Sequence, residues 1–290
     1  MTYREERKTS SSSGPNRKME LFLRAVAQAP QSLLMLDFDG TLAPFQKDRR
    51  KAFPYRGITS LLEEILELGK IRVVIVSGRD ATEIIPLLGV EPHPEVWGLH
   101  GLQRVKTDGS VEISTLDDPT LTALDLADDW LVSQQLQHTA ELKAGSIAVH
   151  WRGLHGSEAE EIDRRVLRGW TDIAKEYGLD LLHFDGGVEI RSKQANKGSV
   201  VRTLLAEMKP SIPAAYLGDD TTDEEAFTAI NDVRVNDARL SILVRPVWRP
   251  TAAQLWLRPP AEVLEFLMRW LEICQDQGES SDETSPALNA

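Results

Sequence analysis

Residues Leu33 to Leu42, LLMLDFDGTL, constrain this chain more than any other stretch. Leu33 to Leu36 leave no polar face, so they predict a strand covered on both sides, as in a parallel sheet. Asp37, Phe38, Asp39, Gly40 and Thr41 then end it. Gly40 permits the backbone to turn sharply. In open α/β sheets, ligands bind outside the carboxyl ends of the strands. A carboxylate placed there can attack an electrophile or hold a cation, and one two residues on can move protons. A buried strand followed by an Asp-Gly turn is commonplace. The complete string DFDGT, apolar before and after, points to chemistry.

Further runs supply a sheet around it. Ile71 to Val76 is a second buried strand, ending in Ser77, Gly78 and Arg79, and Ala214 to Leu217 is another, ending in Gly218, Asp219 and Asp220. Apolar periodicity predicts helices over 18–28, 58–68, 81–88, 197–208, 222–230 and 261–274, with short strands over 96–101, around Val233 and over 241–244. Strand and helix in alternation describe a parallel sheet with right-handed crossovers. Between 102 and 190 the rhythm changes. A hairpin is expected over 102–114 around Asp108-Gly109, strands over 139–143, 146–151, 181–184 and 188–191, and helices over 121–137 and 157–177. The fold class is therefore α/β: a Rossmann-like parallel-sheet core (17–101 and 191–274) with an α+β cap inserted at 102–190. The polar ends, 1–16 and 275–290, are expected to be disordered.

Composition removes several classes of function. Against 33 basic residues stand 45 acidic ones, a net charge of -12, which disfavours nucleic acid and acidic membranes as partners. No apolar run approaches the roughly 20 residues that span a bilayer, and the polar N-terminus lacks the apolar stretch of a secretory signal. A single cysteine, Cys274, rules out an internal disulfide and a cysteine-rich metal site. The expected location is cytoplasmic. An anionic substrate would need local cations against the field of the whole protein.

Three strand ends carry polar groups: Asp37 and Asp39, Ser77 and Arg79, Asp219 and Asp220. Were these strands neighbours, Asp37, Asp39 and Asp219 would crowd together. Like charges about 4 Å apart repel by roughly 4 kcal/mol per pair at an effective dielectric of 20, so such a cluster demands a cation. Oxygen-only ligands point to a hard ion, and few carboxylates suit Mg²⁺. Lys197 opens a helix, where the macrodipole disfavours a cation; a phosphate held between it and Mg²⁺ would supply the compensating charge. Plainer roles exist for several of these residues. Ser77, Asp219, Asp220 and Asp223 suit helix caps, Arg79 suits a surface, and Glu141 with Lys143 suits a surface ion pair.

Taken in order, DFDGT, the strand-terminal SGR, the lysine before a helix and GDDTTDEEAF resemble the four motifs of the haloacid dehalogenase superfamily of phosphotransferases. GLHG at Leu99 and His100, ELK at Glu141 to Lys143, VHWR at Val149 to Arg152, VEIR at Val188 to Arg191 and then NKG narrow the resemblance to the trehalose-6-phosphate phosphatases, over about residues 30–272. That resemblance implies Mg²⁺-dependent hydrolysis in which Asp37 is the nucleophile and forms an aspartyl-phosphate. Asp39 would be the general acid and later the base for water. Asp37, the backbone carbonyl of Asp39 and Asp219 would hold the metal, supported by Asp220 and Asp223. Ser77 and Lys197 would grip the phosphoryl oxygens. Thr41, Arg79 and His100 would join the substrate site, and Glu141, Lys143, Glu189, Arg152 and Arg191 would line its sugar half. The implied partners are a sugar phosphate and a trehalose-6-phosphate synthase, and a monomer is expected. The sequence departs from the family at Leu99, where a small polar residue is usual, and at Ser192-Lys193-Gln194, where proline is. Both departures bear on the sugar. Sucrose 6-phosphate or a glycosyl-phosphoglycerate is the alternative substrate, a mutase the alternative activity, and a non-catalytic sugar-phosphate sensor or synthase subunit the alternative class. Asp37, Asp39, Lys197 and Asp219 together favour an enzyme, because a sensor needs neither nucleophile nor acid.

Overall fold

The computed structural model of the chain describes residues 15–282 apart from Ala144, Arg152, His155, Asp185 and 233–237, with side chains from Arg17 to Asp276. The first half of the core runs α1 (Pro15–Gln28), β1 (Ser32–Leu36), α2 (Ile58–Glu67), β2 (Ile71–Val76), α3 (Ala81–Leu88), β3 (Glu95–Gly98), β4 (Gln103–Val105) and β5 (Val111–Ile113). The inserted unit follows: α4 (Asp118–Ser133), β6 (Ala140–Lys143), β7 (Ser146–His150), α5 (Gly156–Tyr177), β8 (Asp180–Phe184) and β9 (Gly187–Arg191). The core then resumes with α6 (Lys197–Glu207), β10 (Ala214–Gly218), α7 (Glu224–Asp232), β11 (Arg239–Val244), β12 (Leu255–Leu257) and α8 (Ala261–Asp282).

β1 lies at the middle of the larger sheet, whose order is β12-β11-β10-β1-β2-β3-β4-β5. From β12 to β3 every pairing is parallel. Side chains alternate across β1. Leu34 and Leu36 pack beneath Phe22, Leu62, Phe266 and Trp270 of α1, α2 and α8. Leu33 and Met35 meet Val200, Leu204, Phe227 and Ile230 of α6 and α7 on the other face. That double covering is why the run has no polar position. Strand order reverses at β1, which pairs with β10 on one side and β2 on the other. Leu36 lies level with both Leu217 and Ile75, so Asp37, Asp219 and Ser77 emerge side by side at the switch point.

The second sheet, β6-β7-β9-β8, is antiparallel throughout. Ile147, Val149, Val188 and Ile190 face α4 and α5, where Leu131, Val166 and Trp170 complete the core. The alternate positions, among them Ser146, His150 and Glu189, face the other way.

Several expectations change. The hairpin of β4 and β5, expected with the insertion from 102, extends the larger sheet: Val96 pairs with Val105 and Trp97 with Arg104. It covers the edge that β3 would otherwise expose. The strand expected over 96–101 stops at Gly98, because Leu99 and His100 take left-handed φ of 52° and 54°. β12 is too short for its alternation to register. α8 continues past 274, its expected end, to Asp282. The strand around Val233 and residues 1–14 and 283–290 lie outside the described residues. Among the described residues, no helix is long and apolar enough to cross a membrane.

Candidate active site

Asp37 leaves β1 with its amide donating to the Leu217 carbonyl at 2.9 Å, and its carboxylate is buried. The turn that follows closes where the Gly40 amide meets the Ala43 carbonyl at 2.7 Å. Gly40 has φ +86°, and a Cβ there would lie 2.3 Å from Asp219 Oδ2. Only glycine lets the DFDG turn approach the β10 end so closely.

Lys197, the first residue of α6, follows its N-cap Asn196. Its buried ammonium donates to Asp37 Oδ1 at 2.6 Å and to Asp223 Oδ1 at 2.7 Å. Asp223 also accepts from the Tyr216 hydroxyl at 2.6 Å and from the Asp219 and Asp220 amides, each at 2.9 Å. Both of its oxygens are thus doubly satisfied. Asp219 is different: its carboxylate accepts no hydrogen bond among the described residues. Oxygens of Asp37, Asp219 and Asp223 all lie within 4.8 Å of one another.

One ammonium does not balance three buried carboxylates, and the titration behaviour records the deficit. Burial, against the pull of Lys197, raises the Asp37 carboxyl to about 7. Burial and then Asp37 and Asp223 push Asp219 well above the carboxylate range. Burial would raise Asp223 too, but Lys197, Tyr216 and the amide donors outweigh it and hold that group low. A cation fits this arrangement. Asp37 and Asp219 offer oxygen to a common point, no imidazole or sulfur joins the cluster among the described residues, and the donor set suits a hard divalent ion. The structure does not bring Asp220 into the cluster. Its side chain caps the turn at 221–223 by accepting the Thr221 amide at 2.7 Å, and Asp223 takes the inner position.

Asp39 accepts from Arg79 Nη1 at 3.4 Å. Arg79 is buried, with its guanidinium 5.9 Å from the Phe38 ring centroid and its Nε 3.2 Å from Glu83. It props Asp39; it is no surface residue. Ser77 is buried beside it and accepts the Arg79 amide at 3.2 Å. Gly78 leaves room for His100, whose ring a Cβ would meet at 2.5 Å. Thr41 is buried away from the cavity, its hydroxyl without a partner among the described residues.

A cavity of about 210 Å³ separates these groups from the second sheet. Asp37, Asp39, Ser77, Lys197 and Asp219 line its floor; Glu141, Lys143, His150, Phe184 and Glu189 line the opposite wall. Glu189 accepts from Lys143 at 3.1 Å and from Ser146 at 2.7 Å. Although burial opposes it, these donors help hold Glu189 at about 2. Burial drives His100 down to about 3, so that ring is neutral. Arg191 does not reach the cavity: fully buried, it turns to Glu225 of α7 at 2.5 Å. Arg152 lies outside the described residues.

Comparison with known proteins places the chain in a family. A model of the trehalose-phosphatase family covers residues 35–259. The chain belongs to that family. A protein of Oryza sativa subsp. japonica described as probable trehalose-phosphate phosphatase 3 is 26% identical over 275 residues, covering 86% of this chain and 72% of that one. The C-terminal domain of trehalose-6-phosphate phosphatase from C. albicans superposes with a TM-score of 0.74 at 22% identity, over 88% and 96% of the two chains. A haloacid dehalogenase-like hydrolase from Bacteroides thetaiotaomicron gives 0.57 at 14% identity, over 82% and 99%. The two structural likenesses are likenesses of fold: a core sheet with a cap.

Within this trehalose-phosphatase scaffold, sequence reasoning missed one side of the cavity. Phe45, Gln46 and Arg49, from the loop between β1 and α2, line it. Arg49 forms an ion pair with Glu141 Oε1, and His150 Nε2 lies 3.0 Å from Glu141 Oε2. The His150 hydrogen bond, with Lys143 and Arg49 acting against burial, holds Glu141 at about 2. His150 sits in the quoted VHWR string, and strand alternation alone places it on the face of Ser146. Arg49 lies in QKDRRK, where nothing in the pattern singles it out.

Proposed function

We propose that the protein hydrolyses trehalose 6-phosphate to trehalose and inorganic phosphate, in the cytoplasm, with Mg²⁺ and through an aspartyl-phosphate on Asp37. One observation carries the reading. A buried aspartate, paired with an ammonium and faced by a carboxylate that has no hydrogen-bond partner among the described residues, shares a cavity with three charged cap residues suited to sugar hydroxyls. Mg²⁺ held by Asp37 and Asp219 would neutralise the charge of the phosphate and of its nucleophile.

The chain's own residues divide the work. Lys197 occupies Oδ1 of Asp37, favouring its ionised form against burial and leaving the other oxygen to attack phosphorus. As that P–O bond forms, the bond from phosphorus to the sugar oxygen breaks, and Asp39 gives its proton to that oxygen. Asp39 then takes a proton from water. The water oxygen attacks phosphorus, the acyl-phosphate bond breaks, and phosphate leaves with Asp37 restored. Arg79 positions Asp39 for both transfers. Ser77 and Lys197 bind phosphoryl oxygens, while Glu141, Lys143 and Glu189 accept or donate to the sugar and exclude water. A trehalose-6-phosphate synthase would supply the substrate.

Phosphate release from trehalose 6-phosphate, sucrose 6-phosphate, glucose 6-phosphate and a glycosyl-phosphoglycerate, each with Mg²⁺ and with chelator, tests this. Mg²⁺-dependent release from trehalose 6-phosphate alone is the expected result. Preference for another sugar would overturn the substrate, and silence across the panel would overturn the activity. Asp37→Asn should abolish turnover with the fold intact; retained turnover would remove Asp37 as nucleophile.

A further inference from the structure

The loop from β1 to α2 contains one helical turn, Arg49–Lys51, fastened by Asp48, whose side chain accepts the Arg50 amide at 3.2 Å. From this turn Arg49 reaches over the cavity to Glu141 on β6, 92 residues away in sequence. Both residues line the cavity. The pair therefore bridges one side of the cavity, with one partner in the core and the other in the cap. Other contacts join core and cap, among them Arg191 of β9 to Glu225 of α7 at 2.5 Å and Thr221 Oγ1 to the His183 carbonyl at 3.4 Å, and neither of these lies at the sugar side of the cavity beside Glu141. With Arg49 on Oε1 and His150 on Oε2, the Glu141 carboxylate is held from two sides and has one orientation.

We propose that Arg49 is a positioning residue for the sugar half of the substrate: it ties the core loop to the cap through Glu141 and sets that carboxylate for the leaving group. The inference rests on the phosphatase reading and extends it, because sugar recognition then depends on the core as well as the cap. Arg49 touches no reacting atom. Its effect belongs in KM, since it acts on binding a part of the substrate remote from phosphorus. Both side chains are partly exposed, 44% and 31%, so the effect is about two- to fivefold, the scale of a solvent-screened pair.

The test compares Arg49→Ala, Arg49→Lys, Glu141→Ala and the double alanine variant. KM for trehalose 6-phosphate should rise about two- to fivefold in Arg49→Ala, recover in part in Arg49→Lys, and show no additional effect of Arg49→Ala once Glu141 is alanine. Additive effects, or a loss confined to kcat, would overturn the proposal. A second arm needs no substrate. Glu64→Cys on α2 and Glu158→Cys on α5 take a dye pair, the native Cys274 being buried. Energy transfer should report a wider spread of core–cap distances in Arg49→Ala and at high salt. An unchanged distribution would overturn the tie. Should the unmodified enzyme release no phosphate from any sugar phosphate, the functional reading fails, and the dye pair still decides whether Arg49 joins core to cap.

Discussion

Lys197→Met removes the ammonium in contact with Asp37 and Asp223, 2.6 and 2.7 Å from their oxygens. At an effective dielectric of 20 each contact is worth roughly 6 kcal/mol of attraction, much of it offset by stripping water from the ammonium. The consequence lies in what remains: three carboxylates with oxygens within 4.8 Å, where like charges repel by roughly 3.5 kcal/mol per pair. Deleting one partner of such a buried pair costs about 3–5 kcal/mol. The folded variant escapes part of that cost by keeping protons on Asp37 and Asp223, whose folded pKa values rise above the unfolded value. The native state then binds more protons than the unfolded one, so its deficit grows with pH. It is smallest below the unfolded carboxylate pKa, about 3.9, and complete only above the folded value, which for Asp37 is already about 7 with the lysine present. Urea unfolding in chelator from about pH 5 to about pH 8.5 should show a difference from the unsubstituted protein that more than doubles across the range. A difference independent of pH would refute the electrostatic account. Phosphate release should fall by about 10²–10³.

Mg²⁺ binding should displace protons, because Asp37 sits at about 7 before the ion arrives. Its affinity should rise with pH through about 7, where Asp37 loses its proton, and should continue to rise above that as Asp219, also held above the carboxylate range, loses its own, by about tenfold per unit for each proton displaced. Calorimetry in two buffers of different ionisation enthalpy counts those protons, and finding none would refute the assignment. Gly40→Ala places a methyl 2.3 Å from Asp219 Oδ2 at φ +86°; it should cost about 1–2 kcal/mol of stability and weaken Mg²⁺ at least about tenfold, and unchanged affinity would count against Asp219 as a ligand. Arg79→Met releases Asp39 and should slow sugar-phosphate cleavage about ten- to hundredfold. Aryl phosphates with acidic leaving groups need less protonation and should lose less, so equal losses would separate Arg79 from the acid.

The runs buried on both faces were readable because a covered strand has no polar position to confuse its period. β1, β2 and β10 therefore came out nearly to the residue, and with them the three polar strand ends. What remained hidden was partnership. The apolar residues of β4 and β5 declare a hairpin, yet they carry no information about which sheet's edge accepts it. In GDDTTDEEAF, turn propensity applies to every acid alike. Only the path of the turn decides that Asp223 faces inward while Asp220 caps. Lys197 was expected to await a phosphate, and its compensation proves instead to be internal, from two carboxylates distant in sequence. Arg191 shares the strand face of Glu189, but it stands at the strand's last residue, where the chain turns back to the core and Glu225 lies within reach.

Asp37 and Lys197 meet across 160 residues of chain, with the entire cap between them. Closing so long a loop carries an entropic cost that grows only slowly with its length, so the core tolerates a cap of almost any size provided that its two ends return to the same place. The distance between Asp37 and Lys197 is thus independent of the cap's length: one part of the gene could be exchanged for another of different length without altering it. The same arrangement dictates when activity can first exist. During synthesis Asp37 leaves the ribosome long before its counter-charge, and the ion pair with Lys197 is complete only after β10 has docked beside β1.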